Sequence, residues 1–437
     1  MTLPSRMVLR NPTSIARTPM DATTVLTIYA TLLLAIPSDL AVGPLGGAGS
    51  PSALFGLGML LWWCWHQVHL RRGADAVFIW HPVRTAFAIF VLFVLASFVV
   101  ASISPLPMAE ANGADRALIQ VAAFAGIVVV SHDGIPTRAR FLALTRRISL
   151  LGGLYASLGL LQFTTHKSYV DAISIPGLQP SGFGGIDIRG GFVRASATGI
   201  HSVEYAMVLT MILPIALTLA LRDTERSRIN RWFPAVAILL ASVLSVSRSA
   251  LVGLAAVMVV LVMSWRPRER KLALWAILGS GAAIYLLVPG MAGTMLGMFG
   301  GSDPSIASRT DSYGLATAFI RDAPLLGRGM GTFLPAYRIL DNQYLGLLIE
   351  IGILGTSAFL AVLVAAMVVA YRGGWRTLPG LHRDLATAVM AAVLGGGLLT
   401  GFFDAFSFPQ ACGLLMMATG LCGAYRSLAD GQLEARP

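Results

Sequence analysis

Apolar stretches long enough to cross a lipid bilayer recur along most of this chain. About 20 apolar residues at 1.5 Å per residue span roughly 30 Å of hydrocarbon. On that measure the sequence predicts about twelve spans, near 24–42, 50–69, 84–104, 116–131, 148–165, 203–221, 232–247, 249–265, 272–289, 343–371, 386–402 and 409–425. Runs of this length are helical, because a barrel strand needs only about ten residues and alternates in polarity. The predicted fold class is therefore an all-α polytopic membrane protein, a single integral membrane domain over 1–437.

The seventh and eighth spans form one apolar run, 232–265, which as a single helix would measure about 51 Å. Flanking charge predicts a hairpin instead. Arg222, Arg226, Arg228 and Arg231 precede the run, and Arg266, Arg268, Arg270 and Lys271 follow it. Both clusters belong on the cytoplasmic side by the positive-inside rule, so the chain must cross an even number of times between them. Each arm is then only about 24 Å long, and the tip, Ser245-Val246-Ser247-Arg248-Ser249, sits below the outer surface.

Composition agrees with a bilayer setting. Hydrophobic residues make up 56% of the 437, and charged residues 12%. Soluble domains carry about a quarter charged residues. The net charge of +11 is explained by topology rather than nucleic acid: with both termini cytoplasmic, inner segments hold most of the basic residues. Arg6, Arg10 and Arg17 precede a first span that reads as uncleaved. Cys64, Cys412 and Cys422 lie in apolar runs without metal spacing, which predicts neither a disulfide nor a zinc site. No Walker loop and no glycine-rich dinucleotide motif occurs, so a cytosolic nucleotide is not expected as a cofactor.

Two outer connections, about 166–202 and 290–342, are longer than the rest, and long connections between regular elements usually carry function. The second predicts a folded extracytoplasmic loop between spans 9 and 10, with an amphipathic stretch at 309–322 and a Pro324-Leu325-Leu326-Gly327-Arg328-Gly329-Met330-Gly331 turn. Nine basic residues remain outside: Arg116, Lys167, Arg189, Arg194, Arg248, Arg309, Arg321, Arg328 and Arg338. Arginine offers a permanently charged fork that grips phosphate oxygens in pairs. Each loop arginine has a plainer reading, an ion pair with an outer acid such as Asp303, Asp311 or Asp322. Arg248 is the exception, since a charge at that depth is costly and usually functional.

Among acids, Glu204 opens the sixth span just after His201. Asp341 opens the tenth, followed by Asn342 and Tyr344, and Glu350 lies about 13 Å deeper. Nine residues at about 100° each place Glu350 opposite Asp341, so the two do not form one acid pair. The other histidines, His66, His69, His81, His132 and His382, fall on cytoplasmic ends and read as interfacial or solvated.

Four stretches resemble the O-antigen ligase and O-antigen polymerase family of GT-C-type membrane glycan transferases. They are RASATGIHSVEYAMVL (194–209), SRSALVGL (247–254), SRTDSYGLATAFIRDAPLLGRGMGTF (308–333) and DNQYLGLLIEIGILG (341–355), within a core of about 190–355. The resemblance implies a lipid bilayer setting and an undecaprenyl diphosphate-linked glycan as donor at the outer face of the cytoplasmic membrane. It implies no metal ion, with other polysaccharide-assembly proteins as partners. Arg248, Arg309 and Asp341 are the catalytic candidates; Arg194, His201, Glu204, Arg328, Asn342, Tyr344 and Glu350 are the substrate-binding candidates. Ligases usually carry histidine where this chain has Asp341, a departure that favours a polysaccharide polymerase, with an O-antigen ligase as the alternative. A transporter of a small anion or lipid-linked glycan is the rival from another class, and a scaffold for glycan assembly a third. No internal repeat supports the transporter, and the charged features crowd one half of the chain.

Overall fold

The computed structural model describes residues 21–69, 81–180, 187–189, 192–245, 247–271, 275, 279, 304–376 and 380–430. The predicted ninth span 272–289, the first 20 residues and the loop segment 290–303 fall almost wholly outside them. The described chain is a helical bundle: α1 (Ala22–Ala35), α2 (Pro51–His69), α3 (Pro82–Ile103), α4 (Met108–Asp133), α5 (Arg138–Thr165), α6 (Ser202–Arg222), α7 (Arg228–Leu244), α8 (Arg248–Ser264), α9 (Pro304–Asp322), α10 (Gln343–Glu350), α11 (Gly352–Arg376), α12 (Leu381–Leu399) and α13 (Pro409–Asp430). Among the described residues, α3, α4, α5, α6 and Gly352–Gly374 are long and apolar enough to cross a membrane.

Helix boundaries depart from hydropathy in both directions. α4 begins at Met108 and α5 at Arg138, earlier than the apolar windows at 116 and 148. Charged residues such as Glu110 and Arg140 are good helix formers, so a helix continues past its apolar stretch. The first span is shorter than expected. α1 stops at Ala35, before Pro37, and the Gly- and Pro-rich stretch Gly43–Gly49 forms a 3₁₀ segment in place of continued helix. Before that segment, β1 (Leu40–Ala41) pairs with β2 (Gln179–Pro180), and a second ladder joins β3 (Asp187–Arg189) to β4 (Phe192–Arg194).

The run 232–265 is a hairpin. α7 ends at Leu244 and α8 starts at Arg248, with Ser247 as its N-cap. The two flanks meet at one end of the bundle. Arg222, closing α6, pairs with Glu269, which follows α8, and with Asp384 at the start of α12, 2.5 Å away. Arg146 reaches Asp223 and Glu225 there, Arg140 reaches Asp21, and Arg84 reaches Asp133. A run whose two ends are tied together must go out and return. His132, expected to be interfacial or solvated, is 2% exposed, its Nδ1 2.6 Å from Asp133.

The tenth span also differs from its expectation. It is not one helix but two, α10 and α11, broken at Ile351 and Gly352, where φ is +65°.

Candidate functional site

At the end of the bundle opposite the Arg222 ion pairs, three groups of residues converge. The first is the hairpin tip. Ser245, Ser247 and Ser249 are buried, so the tip lies inside protein. Ser247 accepts from the Ala250 N–H (3.4 Å), and its hydroxyl lies 3.0 Å from that of Ser249. Arg248 is thereby fixed as the first residue of α8, half-buried. A cation at a helix N-terminus opposes the helix dipole, and the pair becomes favourable when an anion meets both. Gly253, five residues on, faces Leu399 at the end of α12. Arg248 therefore rises about 7.5 Å beyond that contact, at the level of the turn that follows α12.

The second group is the segment from Arg194 to Glu204. Gln162 holds it from α5, donating to the Ala197 carbonyl (2.9 Å) and accepting from the Ser196 and Ala197 N–H groups. Ala197 takes a left-handed φ of +51° there. His201 caps α6, its Nδ1 accepting from the Val203 N–H at 3.2 Å, which leaves the proton of a neutral ring on Nε2. Glu204 is fully enclosed. Its carboxylate accepts from the Ser38 hydroxyl (2.8 Å), the Ile200 N–H (2.7 Å) and the Gln410 N–H (2.7 Å). Gln410 in turn donates to Thr198 and accepts from the Tyr155 hydroxyl. Glu204 thus faces protein on all sides and braces the segment that carries Arg194 and His201. Alanine at Glu204 strands the buried Ser38 and Gln410 donors at about 1–3 kcal/mol each, so the variant should unfold several degrees below wild type in a detergent thermal melt.

The third group surrounds the α10–α11 break. The Pro324–Gly331 turn is stitched onto it: the Arg328 N–H donates to Ile349 O (3.1 Å), the Gly329 N–H to Glu350 O (2.9 Å), the Ile353 N–H to Pro324 O (2.9 Å) and the Leu354 N–H to Leu325 O (3.2 Å). Gly327 (φ +68°) and Gly352 (φ +65°) face this seam. A Cβ on the first would lie 2.3 Å from the Glu350 carbonyl, and one on the second 2.3 Å from Leu325 O. The Glu350 carboxylate reaches back to the Phe333 N–H at 3.4 Å. α9 covers the seam through Ala316, Phe319 and Ile320 against Leu340, Leu345 and Ile349.

Arg328 has a protein partner, though not one of the expected loop acids. It reaches Glu110 of α4 at 3.1 Å and stacks over Phe319, and Tyr337 also bonds Glu110. Asn342 caps α10, accepting from the Tyr344 and Leu345 N–H groups, and the Tyr344 hydroxyl donates to Gly397 O (2.5 Å). Arg309 lies on α9; its side chain is outside the described residues.

Sequence reasoning passed over the turn that joins these groups, residues 400–410. The Gln343 N–H donates to Thr400 O (3.1 Å) and Phe403 O (3.2 Å), and its Oε1 accepts from the Phe406 N–H (2.8 Å). Six residues after Asp404, Gln410 holds Glu204. Asp404 is close enough to Asp341 and to Glu350 to interact electrostatically with both. The only signal in the sequence was one acid set among phenylalanines, Phe402-Phe403-Asp404-Ala405-Phe406.

A family model described as O-antigen ligase matches residues 233–360. The match spans Arg248, Arg309, Arg328, Asp341, Asn342, Tyr344 and Glu350, and leaves Arg194, His201, Glu204 and Asp404 outside it. Comparison with curated proteins gave no match.

Proposed function

We propose, from the premise that the match over 233–360 supports assigning this chain to the O-antigen ligase and polymerase family, that it is a polysaccharide polymerase. It would transfer a glycan from undecaprenyl diphosphate to a sugar hydroxyl of another lipid-linked repeat. The observation that carries this reading is the placement of Arg248. A permanent cation heads a helix at the end of the bundle that also bears Asp341.

Diphosphate leaves a glycosyl centre with growing negative charge, and fixed positive groups aimed at that charge lower the barrier. Arg248 and the first N–H groups of α8 supply such a field. Arg309 is assigned to the same diphosphate and Arg194 to the diphosphate or the donor sugar. Asp341 orients the acceptor hydroxyl or takes its proton. Attack from the face opposite the departing diphosphate inverts the anomeric centre. Arg328, held on Glu110, keeps the covering turn in place and contributes to the site through that turn.

The test is reconstitution of the purified protein with a lipid-diphosphate-linked repeat unit, with products resolved by size. A ladder of lengthened lipid-linked glycans is expected. Transfer only when a separate lipid A core acceptor is added would identify a ligase. Donor left intact with either acceptor would overturn glycan transfer and favour the transporter.

A further inference from the structure

Asp404 sits beside the acceptor end of the proposed site and has no part in the mechanism as stated so far. Its position is set by backbone geometry. Gln343, 4% exposed in the first turn of α10, grips the turn from both sides, and Gln120 of α4 donates to Phe406 O at 2.6 Å. Residue 404 is therefore locked next to residues 341–343. One Asp404 oxygen accepts from the Ser407 hydroxyl at 2.5 Å. The other titratable groups acting on it or acted on by it are Asp341 before α10, Glu350 at the α10–α11 break and Cys412 in α13.

Partial burial raises the Asp404 carboxyl above the usual aspartate range, and the charge of Asp341 adds to this, while the Ser407 hydroxyl opposes it. A more basic carboxylate is the better proton acceptor near neutral pH.

We propose, resting on the glycan-transfer reading, that Asp404 is the residue that takes the acceptor hydroxyl's proton, with Asp341 holding the acceptor sugar in position. In that step the acceptor O–H bond breaks as its oxygen bonds to the anomeric carbon. The anomeric C–O bond to diphosphate breaks, the electron pair leaves with the diphosphate, and the proton ends on an Asp404 oxygen.

The experiment measures transfer rate against pH for the reconstituted protein and three variants, using the lipid-diphosphate-linked repeat as donor and acceptor. Wild type should lose rate on the acid side along a limb that reports Asp404. Asp404→Asn should lower kcat by about 100-fold or more and abolish that limb. Asp341→Asn should raise KM, retain measurable kcat and move the limb to lower pH, because it removes the charge that lifts Asp404. Ser407→Ala, an exposed position outside the packed core, should move the limb to higher pH, which keeps the idea testable if Asp404→Asn fails to fold. An Asp404→Asn variant with wild-type rate, or a limb abolished by Asp341→Asn and unmoved by Ser407→Ala, would overturn the assignment while leaving glycan transfer intact. A wild type that transfers nothing overturns the transfer reading itself, and this inference with it.

Discussion

Arg248→Ala should lower glycan transfer by about 100- to 1,000-fold, the usual loss when one fixed positive group is withdrawn from developing charge. The same change should leave the cap of α8 in place, so the loss is one of rate. Ser247 caps α8 through its own hydroxyl, and Arg248 as a cation at the helix start works against the dipole by about 0.3–1 kcal/mol. Arg248→Lys should recover part of the rate, because it keeps the charge and loses the planar fork. Rate and thermal melting in detergent, measured on the same preparations, separate these effects. Unchanged transfer by Arg248→Ala would remove the central claim about the site.

The second large effect is expected at the seam between the Pro324–Gly331 turn and the α10–α11 break. Gly327→Ala and Gly352→Ala each place a Cβ 2.3 Å from backbone atoms on the opposing side of the seam, at a φ that costs a side chain about 1–2 kcal/mol on its own. Backbone cannot rotate away as a flexible side chain would, so each substitution should part the turn from the break and cost several kcal/mol locally. Amide exchange at Arg328 and Gly329, whose N–H groups bond across the seam, should accelerate sharply, and transfer should fall. The double variant should cost clearly less than the sum of the two, because the first alanine already separates the surfaces that the second would strike. Additive costs would mean that the two glycines do not share one contact.

The sequence was informative where charge or length constrained the chain. The return of residues 232–265 followed from paired arginine clusters, and the Arg222–Glu269 pair bears it out. Within the predicted loop 290–342, the described residues carry α9 and the Pro324–Gly331 turn, in line with a Gly-rich turn and spaced aromatics that have few uses in an unstructured linker. Hydropathy failed at Ile351, because apolar residues continue through the break and only the backbone angle at Gly352 reveals it. It failed at Glu204 because the donors that enclose it come from Ser38 and Gln410, 166 and 206 residues away. Asp404 went unread for a related reason. Its neighbour Asp341 lies on the far side of α11 and α12 in the chain, and a single acid in a short aromatic turn carries no periodicity to notice.

The seam has a practical meaning for anyone exchanging this segment between related chains. The transplantable module does not end before α10, because the Pro324–Gly331 turn is completed by the Ile349 and Glu350 carbonyls of α10 and packs against Gly352 of α11. A chimera cut at Asp341 would inherit half of a joint and present the other half to a surface built for a different turn. Cutting after Leu354 instead would carry both faces together and give a hybrid whose turn and helices were made for each other.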